Sequence, residues 1–184
     1  MRKLTLWMNT SLDGYTEGPG GEFDWPVMEQ EVQELVLQLA QQFDGILFGR
    51  KVFELLNSYW PTADTQPDAG TYERVYAPHY RQTPKYVFSR TLETADATVL
   101  SGIDQVEALK QQPGKGLVCM GGAEIADQLV AAGLVDEYRL FVHPAVLGGG
   151  RPLFRTPHAG LTLVESRAFD SAVVHLHYRI HRQG

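Results

Sequence analysis

The sequence lacks the features that mark disulfide-rich, secreted or membrane-spanning proteins. Cys119 is its single cysteine, so no internal disulfide can form, which fits a reducing compartment. No apolar run approaches the roughly 20 residues needed to cross a bilayer. The chain starts with the strand-like stretch RKLTLWM rather than with a signal peptide. We therefore expect a cytoplasmic protein with no direct membrane role.

Basic clusters and the common nucleotide motifs are also missing. The formal net charge is −6, and Lys and Arg are scattered among Asp and Glu, so nothing could neutralise a run of nucleic-acid phosphates. Nucleic acid is therefore excluded as a partner. The sequence has neither G-x-G-x-x-G nor G-x-x-x-x-G-K-[ST], which excludes an ordinary Rossmann site and a nucleoside-triphosphate loop. A dinucleotide site of another design remains open.

What the sequence does contain is an alternation of strands and helices. With 184 residues, 43% of them hydrophobic, it predicts one domain spanning residues 1–184. A helical stripe runs from Val32 to Phe43, a short helix is expected at residues 72–77, and a Pro- and Gly-rich surface loop precedes it. The last two strands read as an antiparallel hairpin turning near Asp170. This order predicts an α/β sandwich with a mostly parallel sheet and antiparallel strands at one edge.

Glycine or paired polar residues stand where three predicted strands end. Gly49 with Arg50, and Gly121 with Gly122, each lie between a strand and a helix, while Ser89 and Arg90 end a third strand. Backbone N–H groups at such junctions can face an anion, and guanidinium groups match phosphate oxygens. Any one of these glycines could equally be a sterically required turn. Three such junctions in one sheet favour a phosphate-bearing ligand.

Five stretches occur in an order that identifies a family. They are SLDGY (11–15), ILFGRKVFE (46–54), PKYVFSRTL (84–92), GGAEIADQLVAAGLVDEYRL (121–140) and HPAVLGGGRPLF (143–154). With them the chain resembles the dihydrofolate-reductase-like superfamily, in the branch related to the reductase domain of the riboflavin-biosynthesis deaminase/reductase. The resemblance implies a three-layer sandwich with helices on both faces of a mixed sheet. It also implies a homodimer that uses NADPH to reduce a pterin-like, pyrimidine-like or carbonyl substrate.

The same resemblance implies roles for individual residues. Gly121 and Gly122, joined by a cis peptide in many relatives, are expected under the nicotinamide and pyrophosphate, and Arg50 and Ser89 near the 2′-phosphate. The full cofactor set is Gly49, Arg50, Lys51, Ser89, Arg90, Gly121, Gly122, Ala123, Glu124 and Ile125. The substrate set is Asn9, Ser11, Asp24 and Trp25, with Asp13 as the catalytic residue. Val52 departs from the family's frequent Thr, which removes a hydroxyl that would bind the pyrophosphate.

Two groups of residues allow more than one interpretation. Asp13 before Gly14 is a common turn pair, but as a buried carboxyl it would have a raised pKa and could relay the proton that accompanies hydride transfer. An ordered water could supply that proton instead. His175, His177 and His181 share one face of the last strand, with no Cys or carboxylate beside them, so we expect a solvated or interface face and no metal site.

A second class of function also remains open. A protein of the same fold could bind a dinucleotide or a flavin without turnover of its own, as a sensor or as a partner subunit. Steady NADPH consumption with a suitable substrate distinguishes the enzyme from this alternative.

Overall fold

The computed structural model of the protein describes residues 1–155 and 160–181. Its strands are β1 Leu4–Ser11, β2 Tyr15–Glu17, β3 Phe43–Gly49, β4 Lys85–Phe88, β5 Thr98–Leu100, β6 Gly116–Cys119, β7 Glu137–His143, β8 Arg151–Pro152, β9 Leu161–Ala168 and β10 Val174–Ile180. Its helices are α1 Gln30–Ala40, α2 Arg50–Asn57, α3 Thr71–Gln82, α4 Asp104–Gln111 and α5 Ala123–Ala131. No helix in the described ranges is long and apolar enough to span a membrane.

Eight of the strands form one mixed sheet. Their order is β5-β4-β3-β6-β1-β7-β10-β9. The first six strands in that order run parallel to one another, and β10 pairs antiparallel with both β7 and β9. The C-terminal hairpin therefore lies at one edge of the sheet, as the sequence predicts. Because the long parallel strands are central, their carboxyl ends meet at one edge of the fold.

Helices cover both faces of this sheet and create two hydrophobic cores. On one face, apolar residues of α1 and α3 pack against Trp7, Phe48 and Phe141 of the strands. On the other face, residues of α4 and α5 pack against Leu6 and Leu140. Because both faces are covered, nearly all of β1 is buried rather than every second residue. The predicted three-layer α/β fold is confirmed.

Three local predictions need correction. α1 ends at Ala40, so Phe43, counted in the helical stripe, begins β3. The Pro- and Gly-rich loop contains a 3₁₀ helix, Trp60–Thr65, with Ala63 fully buried. α3 continues past Pro78 to Gln82, whereas proline usually ends a helix. Burial of the residues around Pro78 and the paired hydrogen bonds from Arg81 to Asp64 hold this last turn.

A small second sheet was missed by the sequence analysis. β2 pairs antiparallel with β8, which follows the glycine run at 148–150. Gly150 has φ +116°, and a side chain there would collide with the backbone carbonyl of Glu17. Gly148 also has positive φ, +69°, but open space around it. Only the last glycine of the run is therefore required for close packing.

The histidine face of the last strand is not solvated, and that expectation is wrong. The side chain of His175 is fully buried and its ring lies 5.0 Å from that of Phe141, while His177 is 6% exposed. His177 Nε2 lies 3.0 Å from Glu137 Oε2. The face is buried because it continues the core formed with α1. His181 remains exposed, and no group of three metal-ligating side chains occurs in the described part of the chain.

Cys119 lies at the centre of the sheet, at the end of β6. Its side chain is fully buried within the core on the α5 side. Burial raises the pKa of this thiol to about 12. The thiol is therefore neutral and shielded in the folded protein.

Burial of His175 predicts a loss of stability in acid. Burial first, and then the charges of Arg139, His177 and Arg167, lower its pKa from 6.5 to about 4. The unfolded chain therefore binds a proton at this ring below about pH 6.5, whereas the folded protein does not bind it until about pH 4. The unfolding free energy should fall across that window, with this ring contributing up to about 1.4 kcal/mol per pH unit.

Urea unfolding followed between pH 7.5 and 4.5 measures this slope. His175→Phe should make it shallower, whereas His181→Phe, which alters an exposed ring, should leave it unchanged. Equal slopes in all three proteins would contradict the assignment.

The glycine run predicts a contrast between two matched substitutions. Gly150→Ala places a methyl group against backbone that cannot move aside, whereas Gly148→Ala meets only the conformational cost of positive φ. We expect Gly150→Ala to destabilise by at least about 2 kcal/mol more than Gly148→Ala. Chemical denaturation of the two variants checks this, and a larger loss at Gly148 would refute it.

Candidate cofactor and substrate site

Several residues predicted as functional lie along one edge of the sheet, together with His143, which was not predicted. Gly49 ends β3, Ser89 follows β4, and Gly121 follows β6. Ser11 ends β1 and His143 ends β7. Since these strands are parallel and adjacent, their carboxyl ends place these residues in a row.

Two glycine segments touch at the centre of this row. The N–H of Gly49 donates to the carbonyl of Gly121 over 2.7 Å, and the Gly121–Gly122 peptide is cis, as the resemblance implies. A side chain at Gly49 would place its Cβ 3.2 Å from the backbone nitrogen of Gly122. The Val52 and Met8 side chains approach the Gly121 position to 3.5 and 3.7 Å. These contacts bring together the backbone of Gly49, Gly121 and Gly122, which we call the glycine floor below.

Two helices begin at this floor. Gly49 is the N-cap of α2 and Gly122 is the N-cap of α5, and neither cap provides a side-chain hydrogen bond. The first N–H groups of a helix have no partner within the helix and carry its positive dipole end. Both helix starts are therefore suited to bind an anionic group.

The floor opens into a cleft with a volume of about 590 Å³. All the predicted cofactor residues line it except Gly121. The sequence analysis missed residues 101–103, which follow β5, and Arg151. The sequence did contain a signal for residues 101–103, because Ser101 and Gly102 follow a short strand as Ser89 and Arg90 do.

The charges that line this cleft are mostly positive. Arg50, Lys51, Arg90 and Arg151 contribute four cations, against Glu17 and Glu124. Arg151 is paired with Glu17 at 2.7 Å, whereas Lys51 and Arg90 have no ion-pair partner among the described residues. These two cations remain available to an anionic ligand.

Arg50 and Ser89 connect the two sides of the cleft. Arg50 donates from Nε to Glu54 and from Nη1 to Thr91, at 2.7 and 2.8 Å, so it reaches from α2 to the segment after β4. Ser89 Oγ accepts hydrogen bonds from the N–H groups of Thr91 and Leu92. The hydroxyl proton of Ser89 therefore remains free for a ligand.

Asp13 does not have the raised pKa expected of a proton donor, and that expectation is wrong. Its side chain is exposed and accepts hydrogen bonds from Ser11 Oγ and from the N–H groups of Leu147 and Gly148. The Ser11 hydroxyl above all, and then these N–H groups, lower the pKa of this carboxyl. Asp13 is a carboxylate that ties the turn after β1 to the loop after β7.

The structure places the predicted substrate residues Ser11 and Asp24 in different environments. Ser11 is buried, and its hydroxyl donates to Asp13 and accepts from the N–H of Tyr15 within the turn. Asp24 is exposed and has no hydrogen bond or ion pair with any described residue. The Ser11 side chain therefore supports the turn after β1, whereas no described residue holds the Asp24 side chain in place.

Asn9, Trp25 and His143 do converge. His143 Nε2 lies 3.0 Å from Asn9 Oδ1, and the rings of Trp25 and His143 meet edge to face at 5.6 Å. His143 is 1% exposed, and burial lowers its pKa to about 4. The sequence analysis missed His143, although it directly precedes Pro144 at the end of a predicted strand.

Solved structures with the same fold include reductases. A pyrimidine reductase-like protein of Corynebacterium diphtheriae matches with a TM-score of 0.66 and 15% identity, covering 99% of this chain and 93% of that one. Dihydrofolate reductase of Enterococcus faecalis, complexed with NADP(H) and RAB-propyl, matches with a TM-score of 0.68 and 12% identity, covering 98% and 97%. At these identities the likeness is one of fold, and the fold is one that reductases use.

Sequence relatives match nearly the whole chain. The uncharacterized protein YyaP of Bacillus subtilis (strain 168) is 37% identical over 183 residues, which cover 96% of this chain and 94% of YyaP. Residues 2–175 match the model of the RibD C-terminal domain. The predicted resemblance is thus confirmed, and the chain belongs to the RibD C-terminal domain family.

Proposed function

We propose that the protein is an NADPH-dependent reductase that transfers hydride to a small, flat heterocyclic or carbonyl substrate. The observation that supports this most directly is the glycine floor, which lies between two helix N-termini in a cleft rich in cations. NADPH has a flat nicotinamide, an anionic pyrophosphate and a 2′-phosphate, and the cleft offers a matching feature for each.

The glycine floor fits the nicotinamide ring, and the two helix starts fit the pyrophosphate. A Cβ at Gly49 would lie only 3.2 Å from the backbone nitrogen of Gly122, and without side chains at the three glycines a ring can approach the backbone itself. The unpartnered N–H groups at the starts of α2 and α5 suit the pyrophosphate. They do so without help from Val52, which has no hydroxyl, or from Glu124, whose side chain is exposed.

Arg50, Lys51, Ser89 and Arg90 are the residues that would hold the 2′-phosphate. Arg50 is oriented by Glu54 and Thr91, and Lys51 and Arg90 carry charge that no described residue neutralises. When bound, NADPH supplies the hydride. The protein's contribution is to hold the reacting atoms in place and to exclude water around them.

The proton in the proposed reaction comes from an ordered water. Asp13 is ionised and occupied by three donors, so it contributes by holding the loop after β7. On the substrate side, α1 has no cationic residue and carries Glu31 and Glu34, which does not suit a substrate with an acidic tail such as folate. A compact pterin-like or pyrimidine-like ring fits better.

A non-catalytic dinucleotide- or flavin-binding protein of the same fold is the alternative. The Asp13 carboxylate favours it, because its three hydrogen-bond donors lower its pKa and make it a poor proton donor. NADPH consumption measured with a panel of flat carbonyl and heterocyclic compounds separates the two. Tight NADPH binding without consumption of any of them would support the alternative.

The 2′-phosphate assignment predicts a difference between the two nicotinamide cofactors. Arg90→Gln removes a cation that pairs with no described carboxylate, so the dissociation constant of NADPH should rise about tenfold, equivalent to 1.4 kcal/mol, while that of NADH changes little. Fluorescence titration measures both constants. Arg81→Gln, which alters an arginine bound to Asp64 away from the cleft, is the matched control. Equal affinity of the wild-type protein for NADPH and NADH would contradict the assignment.

We also propose that the protein is a homodimer that pairs through β9. This strand lies at the edge of the sheet and all eight of its residues are exposed. Leu161, Leu163 and Val164 are 40, 49 and 45% exposed, and an exposed apolar edge strand is a surface that proteins normally cover. Leu161 and Leu163 stand opposite Ile180 and Tyr178 in the register, so they share one face.

The dimer proposal predicts an effect of charge on that face. Leu163→Glu would place a charge inside the interface and should shift the protein to a monomer, as measured by light scattering after gel filtration. Thr162→Glu, on the opposite face of β9, should have a smaller effect. A wild-type protein that is monomeric at all concentrations would refute the proposal.

A further inference from the structure

His143 has both ring nitrogens engaged, and the partners are of different kinds. The N–H of Val27 donates to Nδ1 over 2.9 Å, and Nε2 lies 3.0 Å from Oδ1 of Asn9. A backbone N–H can only donate, so Nδ1 must be the acceptor. The ring is neutral because it is buried, so its single proton is on Nε2. Nε2–H therefore donates to Asn9.

This arrangement determines the orientation of the Asn9 carboxamide. If the amide were turned over, its NH₂ group would face the Nε2–H of His143, donor against donor. Oδ1 is therefore held toward His143, and Nδ2 with its two protons is directed away from it. No described residue accepts a hydrogen bond from Asn9 Nδ2, and the residue is partly exposed.

Asn9 stands beside the glycine floor. β1 pairs with β6 so that Leu6 is level with Cys119, which puts Met8 level with Gly121. The Met8 side chain does approach the Gly121 position, to 3.7 Å. Asn9 is the next residue and projects from the opposite face of β1, toward α1 and Trp25. Asn9 is thus one residue along β1 from the side chain that contacts the floor, and the ring of His143, its hydrogen-bond partner, meets Trp25.

We propose that His143 is a positioning residue that fixes the Asn9 carboxamide with its NH₂ group toward the substrate. The site then selects a substrate with a hydrogen-bond acceptor, such as a ring carbonyl oxygen, at that point. A substrate with an amino group there would place its own N–H donors against the two N–H donors of Asn9. The inference rests on the proposed function, since it takes the glycine floor as the place of reduction, and it adds the polarity of the substrate and a role for His143.

The test compares two flat rings of the same size and opposite polarity. Uracil carries two ring carbonyls, and 2,4-diaminopyrimidine carries amino groups in their place. Binding of each is measured by calorimetry with the protein saturated in NADP⁺. The wild-type protein should prefer uracil by about tenfold, the difference expected from one satisfied hydrogen bond and one donor left facing a donor.

Four variants assign the preference to these two residues. His143→Gln keeps one acceptor for Val27 and one donor for Asn9, so it should keep the preference. His143→Leu removes both and should abolish it. Asn9→Asp replaces donors with acceptors and should reverse it in favour of 2,4-diaminopyrimidine. His79→Gln, on α3, should behave as the wild type does.

Nitrogen NMR of the His143 ring provides a measurement that does not depend on a substrate. In the free protein we expect Nε2 to carry the proton and Nδ1 to be unprotonated. The opposite tautomer overturns the inference. So does a preference that is absent in the wild type, that is unchanged in Asn9→Asp, or that cannot be measured because neither ring binds.

NADP⁺ titration of each protein is carried out first. Failure of the wild type to bind NADP⁺ refutes the proposed function, whereas intact NADP⁺ binding without the predicted preference refutes only the inference.

Discussion

The contact between Gly49 and the Gly121–Gly122 pair is the constraint on which the rest of the site depends. The N–H of Gly49 donates to Gly121 at 2.7 Å, and a Cβ at Gly49 would lie only 3.2 Å from the backbone nitrogen of Gly122. This contact joins the ends of β3 and β6, the two strands at the middle of the parallel part of the sheet. It also fixes the starting points of α2 and α5 relative to each other. The two helix N-termini can therefore serve one ligand.

The electrostatics of the cleft follow from the same geometry. Arg50 and Lys51 follow β3, Arg90 follows β4, and Arg151 lies in β8 of the second sheet. Arg50 is held by Glu54 and Thr91, and Arg151 by Glu17, so two of the four are oriented before any ligand arrives. Lys51 and Arg90 are left to respond to the ligand. The cleft thus combines two cations held by hydrogen bonds, Arg50 and Arg151, with two that no described residue neutralises, Lys51 and Arg90.

Much of this could be predicted from the sequence because it depends on local patterns. Strand and helix order, the hairpin, and glycine at strand ends are all visible in short stretches, and they led to the correct fold and to the residues of the cleft. Asp13 and His175 were misjudged in part because contacts distant in sequence contribute to their environments, although the nearby Ser11 hydroxyl acts most on Asp13. Asp13 meets Leu147 and Gly148, and His175 meets Phe141, and neither contact leaves a trace in its own segment. His143 was missed for the same reason, since both of its partners lie more than 100 residues away.

The reactivity of the buried Cys119 thiol reports local opening of the sheet around β6. A thiol reagent reacts with the thiolate, and here the thiol is neutral and closed off by the core, so labelling requires β6 to separate from its neighbours. Cys119 is two residues before Gly121, and its strand carries the floor of the cleft. The rate at which Cys119 is labelled therefore measures how often the strand that leads to the glycine floor separates from the sheet. A ligand bound across the floor slows that rate by a factor of 1 + [L]/Kd, where [L] is its free concentration, without any need to know the reaction.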